Sequence, residues 1–143
     1  MMSDRGLRFI EPDDVETMVY DWGTIKWFSE PRVTATARFT MGLVILEPGK
    51  GHERHNHPGV EETLFYISGE GEQMVEVDGK EVRQHVRPGM TCHIPADVYH
   101  ETINTAWEPM RIIATYCPPG PEEFLRTIPG CRILPAGALP GQV

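Results

Sequence analysis

Gly49-Lys50-Gly51-His52-Glu53-Arg54-His55-Asn56-His57-Pro58-Gly59-Val60-Glu61-Glu62, running on through Leu64, Phe65 and Tyr66 to Gly69, decides how this chain is read. His55 and His57 stand two residues apart, and in an extended strand such side chains share a face. Two imidazoles can therefore be presented to one point. A carboxylate, Glu61 or Glu62, follows one short excursion later. Two nitrogens and one oxygen converging from a rigid sheet suit a divalent transition metal.

On either side of this stretch the chain reads as short strands. Thr17 to Trp22 and Thr24 to Phe28 are β-rich runs split by Gly23. Val33 to Glu47 is expected to be the first long strand region, alternating Val33, Ala35, Ala37, Phe39 and Met41 with polar residues. Glu62 to Ile67 forms the next strand. Met74 to Val77 and Lys80 to Val82 flank Asp78-Gly79, a dipeptide that favours a type I′ hairpin turn. Thr91 to Ile94, Val98 to Ile103 and Met110 to Tyr116 complete the set. Prolines and glycines crowd the chain after Cys117, and only Pro121 to Ile128 suits a helical turn. About eight to ten short strands at regular spacing imply an all-β antiparallel sandwich or barrel.

The 143 residues suit one domain. We expect an N-terminal arm to about residue 16, a barrel over about 17–117 and a Pro/Gly-rich tail over 118–143. A formal net charge of -8 repels phosphate backbones, which excludes nucleic acid as the expected partner. No apolar run is long enough to span a bilayer, and Met1 to Gly6 lacks the core of a signal peptide. Cys92, Cys117 and Cys131 are odd in number and form no C-x-x-C pair. They read as small buried hydrophobes in a reducing cytoplasm. A cytoplasmic protein with no membrane partner is expected.

A third histidine, His100, lies in Gly89-Met90-Thr91-Cys92-His93-Ile94-Pro95-Ala96-Asp97-Val98-Tyr99-His100, with Asn104 four residues on. An antiparallel barrel can lay this strand beside the one carrying His55 and His57. Thr102 and Asn104 share the parity of His100 and could line the same cavity.

The stretch Gly49 to Gly69 has the form G-x5-H-x-H-x4-E-x6-G, and Gly89 to Asn104 the form G-x5-P-x-G-x2-H-x3-N, with Asp97 in place of a glycine. On these two motifs the chain resembles the cupin family, in its small, single-domain, conserved-barrel form. An Asp tolerates the left-handed conformation such a turn often needs. The resemblance implies an antiparallel jelly-roll β-barrel. It also implies one divalent metal ion (Fe, Mn, Ni or Zn) held by His55, His57, Glu62 and His100. Glu62 is preferred to Glu61 because it fits the spacing to Gly69 and shares strand parity with Leu64 and Tyr66.

Three imidazoles and one carboxylate leave an octahedral divalent ion with net positive charge and two open positions. Such an ion binds a small oxygenated anion through adjacent oxygens. What the resemblance implies is a metal-dependent cupin enzyme leaning to dioxygenase-type chemistry. The alternatives are a cupin isomerase or lyase for a sugar acid, and a non-catalytic, metal-assisted binding protein for a carboxylate or sugar. A metal-free interaction module is a third class. No residue is assigned a catalytic role.

Tyr66, Tyr99 and His93 are candidates for acid–base work, against readings of Tyr66 as barrel core and of His93 as packed beside the barrel. Arg38 and Arg54 are candidates for holding a carboxylate, against the reading that they are solvated. His52 reads as a solvated loop residue and His85 as a surface strand residue. Trp22, Trp27 and Trp107 read as packing or interface anchors. Covering exposed strand edges would favour a homodimer.

Overall fold

The computed structural model describes residues 6–142. Residues 1–5, which begin the expected N-terminal arm and make up most of the segment read for a signal peptide, lie outside the described residues, as does residue 143. The strands are β1 (Thr17–Tyr20), β2 (Gly23–Ser29), β3 (Thr40–Leu46), β4 (Gly51–His55), β5 (Glu61–Ser68), β6 (Gly71–Val77), β7 (Lys80–Val86), β8 (Thr91–Ile94), β9 (His100–Asn104), β10 (Met110–Cys117) and β11 (Arg132–Leu134). The helices are α1 (Pro31–Thr34) and α2 (Pro121–Thr127). A seven-stranded sheet runs β11-β1-β2-β3-β10-β5-β8, and a four-stranded sheet runs β4-β9-β6-β7. All pairings are antiparallel. The architecture is a jelly-roll barrel.

Strict alternation builds the walls. Along β5, Glu62, Leu64 and Tyr66 are buried while Glu61, Thr63 and Phe65 are exposed. Along β9, His100, Thr102 and Asn104 are the buried set, as their parity requires. Ile112, Ala114 and Tyr116 of β10 face the same interior. Trp27, Tyr66, Leu46 and Ile112 pack between the sheets, and each aliphatic side chain so buried contributes about 1.5–3 kcal/mol. Asp78 and Gly79 both take positive φ, 50° and 76°, as the type I′ hairpin requires. Gly51 lets β4 lie against β9: a Cβ there would stand 2.4 Å from the Thr102 carbonyl oxygen.

Two elements differ from the expectation. Val33 to Phe39 is not strand. Pro31 starts the short helix α1, Ala35 leaves it with a left-handed φ of 58°, and β3 begins only at Thr40. The alternating apolar residues there include two alanines, whose burial contributes too little to hold an edge. Cys117 is exposed while Cys92 and Cys131 are half-buried, so burial does not extend to all three cysteines.

The tail folds back onto the barrel. β11 pairs with β1 through Thr17–Leu134, Met18–Ile133 and Val19–Arg132. α2 is clasped by Arg126, whose guanidinium donates to Glu30 (2.7 Å) and Glu16 (2.7 Å). Arg126 and Glu30 are 6% and 2% exposed, so water does little to screen them. Tyr20 adds a hydrogen bond to the Leu125 carbonyl (2.7 Å).

Burial raises the Glu30 carboxyl above its ordinary 4.5, and Arg126 opposes that rise. Removing Arg126 should push Glu30 higher still. A carboxyl raised in the folded state stabilises below its ordinary pKa and loses that contribution as pH rises through the folded value. Arg126→Ala should therefore cost about 3–5 kcal/mol near pH 7.5 and distinctly less near pH 5. Urea unfolding at both values checks this; an equal loss at both would rule Glu30 out as the stranded charge.

Candidate metal centre

His55 ends β4, His57 lies just beyond it, and His100 opens β9. Their metal-binding atoms all lie within 4.8 Å of one another. His55 pairs directly with His100 across the β4–β9 ladder. Glu62, at the start of β5, reaches the group from the opposite sheet. Its Oε1 is 3.0 Å from His100 Nε2 and 3.8 Å from His57 Nε2.

Neighbouring groups orient the rings. His55 Nδ1 donates to the Glu53 carbonyl (2.5 Å) and His100 Nδ1 to the Val98 carbonyl (2.9 Å). Each Nε2 therefore keeps its lone pair. His57 Nε2, His100 Nε2 and Glu62 Oε1 are buried and have no hydrogen-bond partner. The short Glu62–His100 approach is thus not an aligned hydrogen bond but two acceptors facing one another. Unpartnered acceptors at such burial are costly unless a cation lies between them, and nitrogen plus carboxylate donors suit a divalent transition metal. Burial, together with His52 and His100 alongside, pulls the His55 imidazole down to about 2. Burial also lowers His57, against the pull of Glu62. Both rings are neutral at pH 7, the form that binds a cation.

Two further residues shape the centre. Tyr116 sits opposite Glu62 and its carboxylate in the β10–β5 ladder and meets the His57 ring edge-on (5.0 Å between centroids). Its own hydroxyl is pushed well up, first by burial and then by that carboxylate. Asp97, the one departure from the motifs, takes a φ of 70°. Its carboxylate accepts from Gly59 N (2.9 Å), its carbonyl from Asn56 Nδ2 (3.0 Å), and its own N–H donates to the His57 carbonyl (3.3 Å). The turn before His100 is thereby tied to the loop that carries His57.

His52 is a correction. It is half-buried and stacks on Trp22 (5.0 Å between centroids) and against His55 (3.9 Å). His52 and His55 are three positions apart, yet their partners Thr102 and His100 are two apart. The bulge absorbs the extra residue and turns both rings the same way. Burial holds His52 down at about 4. Tyr20 stacks on the far side of Trp22 (4.5 Å), so Trp22 does more than fill core.

Other candidates point elsewhere. His93 is on the outer face of β8, 3.1 Å from Glu61, because its parity on the ladder is that of exposed Thr63. It is neither packed beside the barrel nor behind any of the four converging side chains. Tyr99 lies one residue out of phase with His100, under the Arg54 guanidinium (4.0 Å). Arg54 is engaged by Glu76 and Glu81. Arg38 is exposed in the segment before β3. Asn104 faces inward, but its amide is committed to the Leu46 and Glu108 carbonyls and the Ala106 N–H. Tyr66 donates to Gln73 Oε1 (3.0 Å), as does Thr102 (2.5 Å), and both belong to the barrel interior. His85 is at the surface beside Glu70. Trp27 is core and Trp107 is 83% exposed.

The family model for the Cupin domain matches residues 42–116, a span that runs from within β3 to within β10 and holds all four converging side chains. This chain belongs to the cupin family. The cupin is 28% identical over 124 residues to Protein SchB of Streptomyces halstedii, covering 87% of each chain. It is 34% identical over 84 residues to the dimethylsulfoniopropionate lyase DddW of Ruegeria pomeroyi, covering 57% of this chain and 52% of the lyase. Among solved structures it resembles the Lactobacillus farciminis oxalate decarboxylase formate complex, with a TM-score of 0.69 at 20% identity over 76% of this chain and 32% of that one. The Bacillus subtilis oxalate decarboxylase, described with Mn(II) centres, gives 0.64 at 22% identity, covering 78% of this chain and 31% of that one. The cupin thus spans about half the lyase and about a third of each decarboxylase, and likeness at such identity shows the fold alone. Among the described residues no helix is long and apolar enough to cross a membrane.

The Asp97 tie can be tested alone. Asp97→Gly keeps the left-handed turn but removes the carboxylate that holds Gly59. Divalent metal affinity should fall several-fold, in line with the loss of one hydrogen bond worth about 1 kcal/mol. Competitive chelator titration measures it; unchanged affinity would mean that the two loops are held without Asp97.

Proposed function

We propose that this cupin is a metal-dependent enzyme acting on a small oxygenated anion, with His55, His57, His100 and Glu62 holding one divalent transition metal. The buried, unpartnered Nε2 and Oε1 atoms that face each other between the sheets carry this reading. The ion would supply Lewis acidity toward a substrate's adjacent oxygens, or dioxygen chemistry if it is redox-active iron. The chain's own part is to orient. Glu53 and Val98 carbonyls fix the His55 and His100 rings. Tyr116, opposite Glu62 in the ladder, packs edge-on against the His57 ring. The stacked rings of Trp22 and His52 keep water from one side of His55.

Dioxygenase-type chemistry follows from the resemblance of the four-residue set. Lyase-type chemistry has its own support in one relative, described as a dimethylsulfoniopropionate lyase. His52 is then the group beside the centre that could exchange a proton, since Tyr99 and His93 face outward. Metal analysis followed by oxygen uptake across a panel of 2-oxo acids, catechols and sugar acids separates the routes. Turnover without oxygen excludes the dioxygenase. Ligand binding with no turnover at all would leave a metal-assisted binding protein. In either enzyme, Glu62→Gln should lower metal affinity sharply while leaving the barrel folded; circular dichroism and metal content report the two separately.

A homodimer remains part of the proposal. Phe65 and Ile67, on the outer face of β5, are 46% and 43% exposed, more apolar surface than a lone sheet face favours. Sedimentation giving a monomer at working concentration would overturn it.

A further inference from the structure

Two cavities meet at the histidines. The inner one, about 30 Å³, is walled by Val44, Leu46, Leu64 and Ile112 and has room for little more than one water. The outer one, about 530 Å³, lies between β4 and α2 and is of small-molecule size. His52 and His55 border both cavities, and His57 lines the outer one. Of these two cavities, only the outer one, on the α2 side, has room for a ligand of several atoms.

The outer cavity has a particular chemistry. One wall is the stacked pair Tyr20 and Trp22, locked at 4.5 Å with rings 5° from parallel. Phe124, Ile128 and Pro129, from α2 and the turn after it, also line the cavity. Phe124 is 64% exposed, a large apolar side chain at the mouth of the slot. The charged lining residues balance: Lys50 and Arg54 are matched by Asp21 and Glu53. A polyanion gains nothing from such a rim. A single anionic end belongs at the histidines, and the rest of the ligand lies between apolar walls.

We propose that the outer cavity seats a chelating anion with a flat, apolar body, an aromatic hydroxy or oxo acid, and that α2 supplies its outer wall. This deepens the proposed function and rests on it for the anchoring end. Oxalate has no body to fill the slot. An acid with one or two rings, its adjacent oxygens toward His55 and His57, fills it.

The test uses the full chain loaded with Mn²⁺ and three probes that all offer adjacent oxygens: oxalate, salicylate and 3-hydroxy-2-naphthoate. Calorimetry should show affinity rising about tenfold with each ring, from apolar area buried, and tryptophan fluorescence should respond to the ring-bearing probes. Phe124→Ala combined with Ile128→Ala should lower the naphthoate-to-oxalate affinity ratio about tenfold. Phe65→Ala, on the outer face of β5, should leave that ratio unchanged. Affinity that is flat or falls with ring count, or a ratio unmoved by the α2 variant, overturns the proposal. Failure of the metal reading shows separately, as manganese content well below one equivalent. In that event naphthoate binding to the metal-free chain, weakened by the α2 variant, upholds the seat, and no binding overturns it.

Discussion

Three buried acceptor atoms with no donor between them set the terms for this structure. His57 Nε2, His100 Nε2 and Glu62 Oε1 come from different segments and both sheets, and each would be better solvated almost anywhere else. They stay together because the barrel leaves them no alternative. β5 and β9 place every second residue inside, and the β4–β9 ladder brings His55 against His100. A cation taking up their lone pairs would offset the cost of gathering them, and folding and ion binding would then be coupled in energy.

The supporting contacts are organised around the same point. Backbone carbonyls choose the histidine tautomers, Tyr116 packs edge-on against His57, and Asp97 joins the loop of His57 to the turn of His100. None of these supports is itself a candidate ligand. Each removes a rotational freedom that an ion would otherwise have to freeze, which is how a small barrel can make a site from side chains spaced 45 residues apart.

Legibility followed the physics of each feature. The period-two pattern of β5 and β9 is a property of the strand alone, so the inward placement of Glu62 and of Thr102 could be read from their neighbours. The Asp78-Gly79 hairpin was equally visible, because only a few residues tolerate its two positive φ values. His52 was not visible. Its inward turn depends on a bulge, and a bulge depends on pairing with β9 rather than on any local residue. Asn104 had the right parity but the wrong commitments, since its amide is taken by carbonyls of β3 and of the loop after β9. Helix α2 itself was legible from Pro121 onward, but its place against the barrel depends on Arg126 meeting Glu16 and Glu30 across about a hundred residues of chain.

That clasp has a consequence for how such a protein can change. The barrel positions are bound by packing and by the cluster they carry, so substitutions there are punished. Helix α2 lies outside the span matched by the family. It is moored through Arg126 and the Tyr20–Leu125 contact, while Phe124 contributes little to stability where it stands. Selection can therefore rewrite that helix face, one residue at a time, without disturbing the machinery beneath it. A lineage of such barrels would diverge in ligand preference first along this helix and last at the histidines.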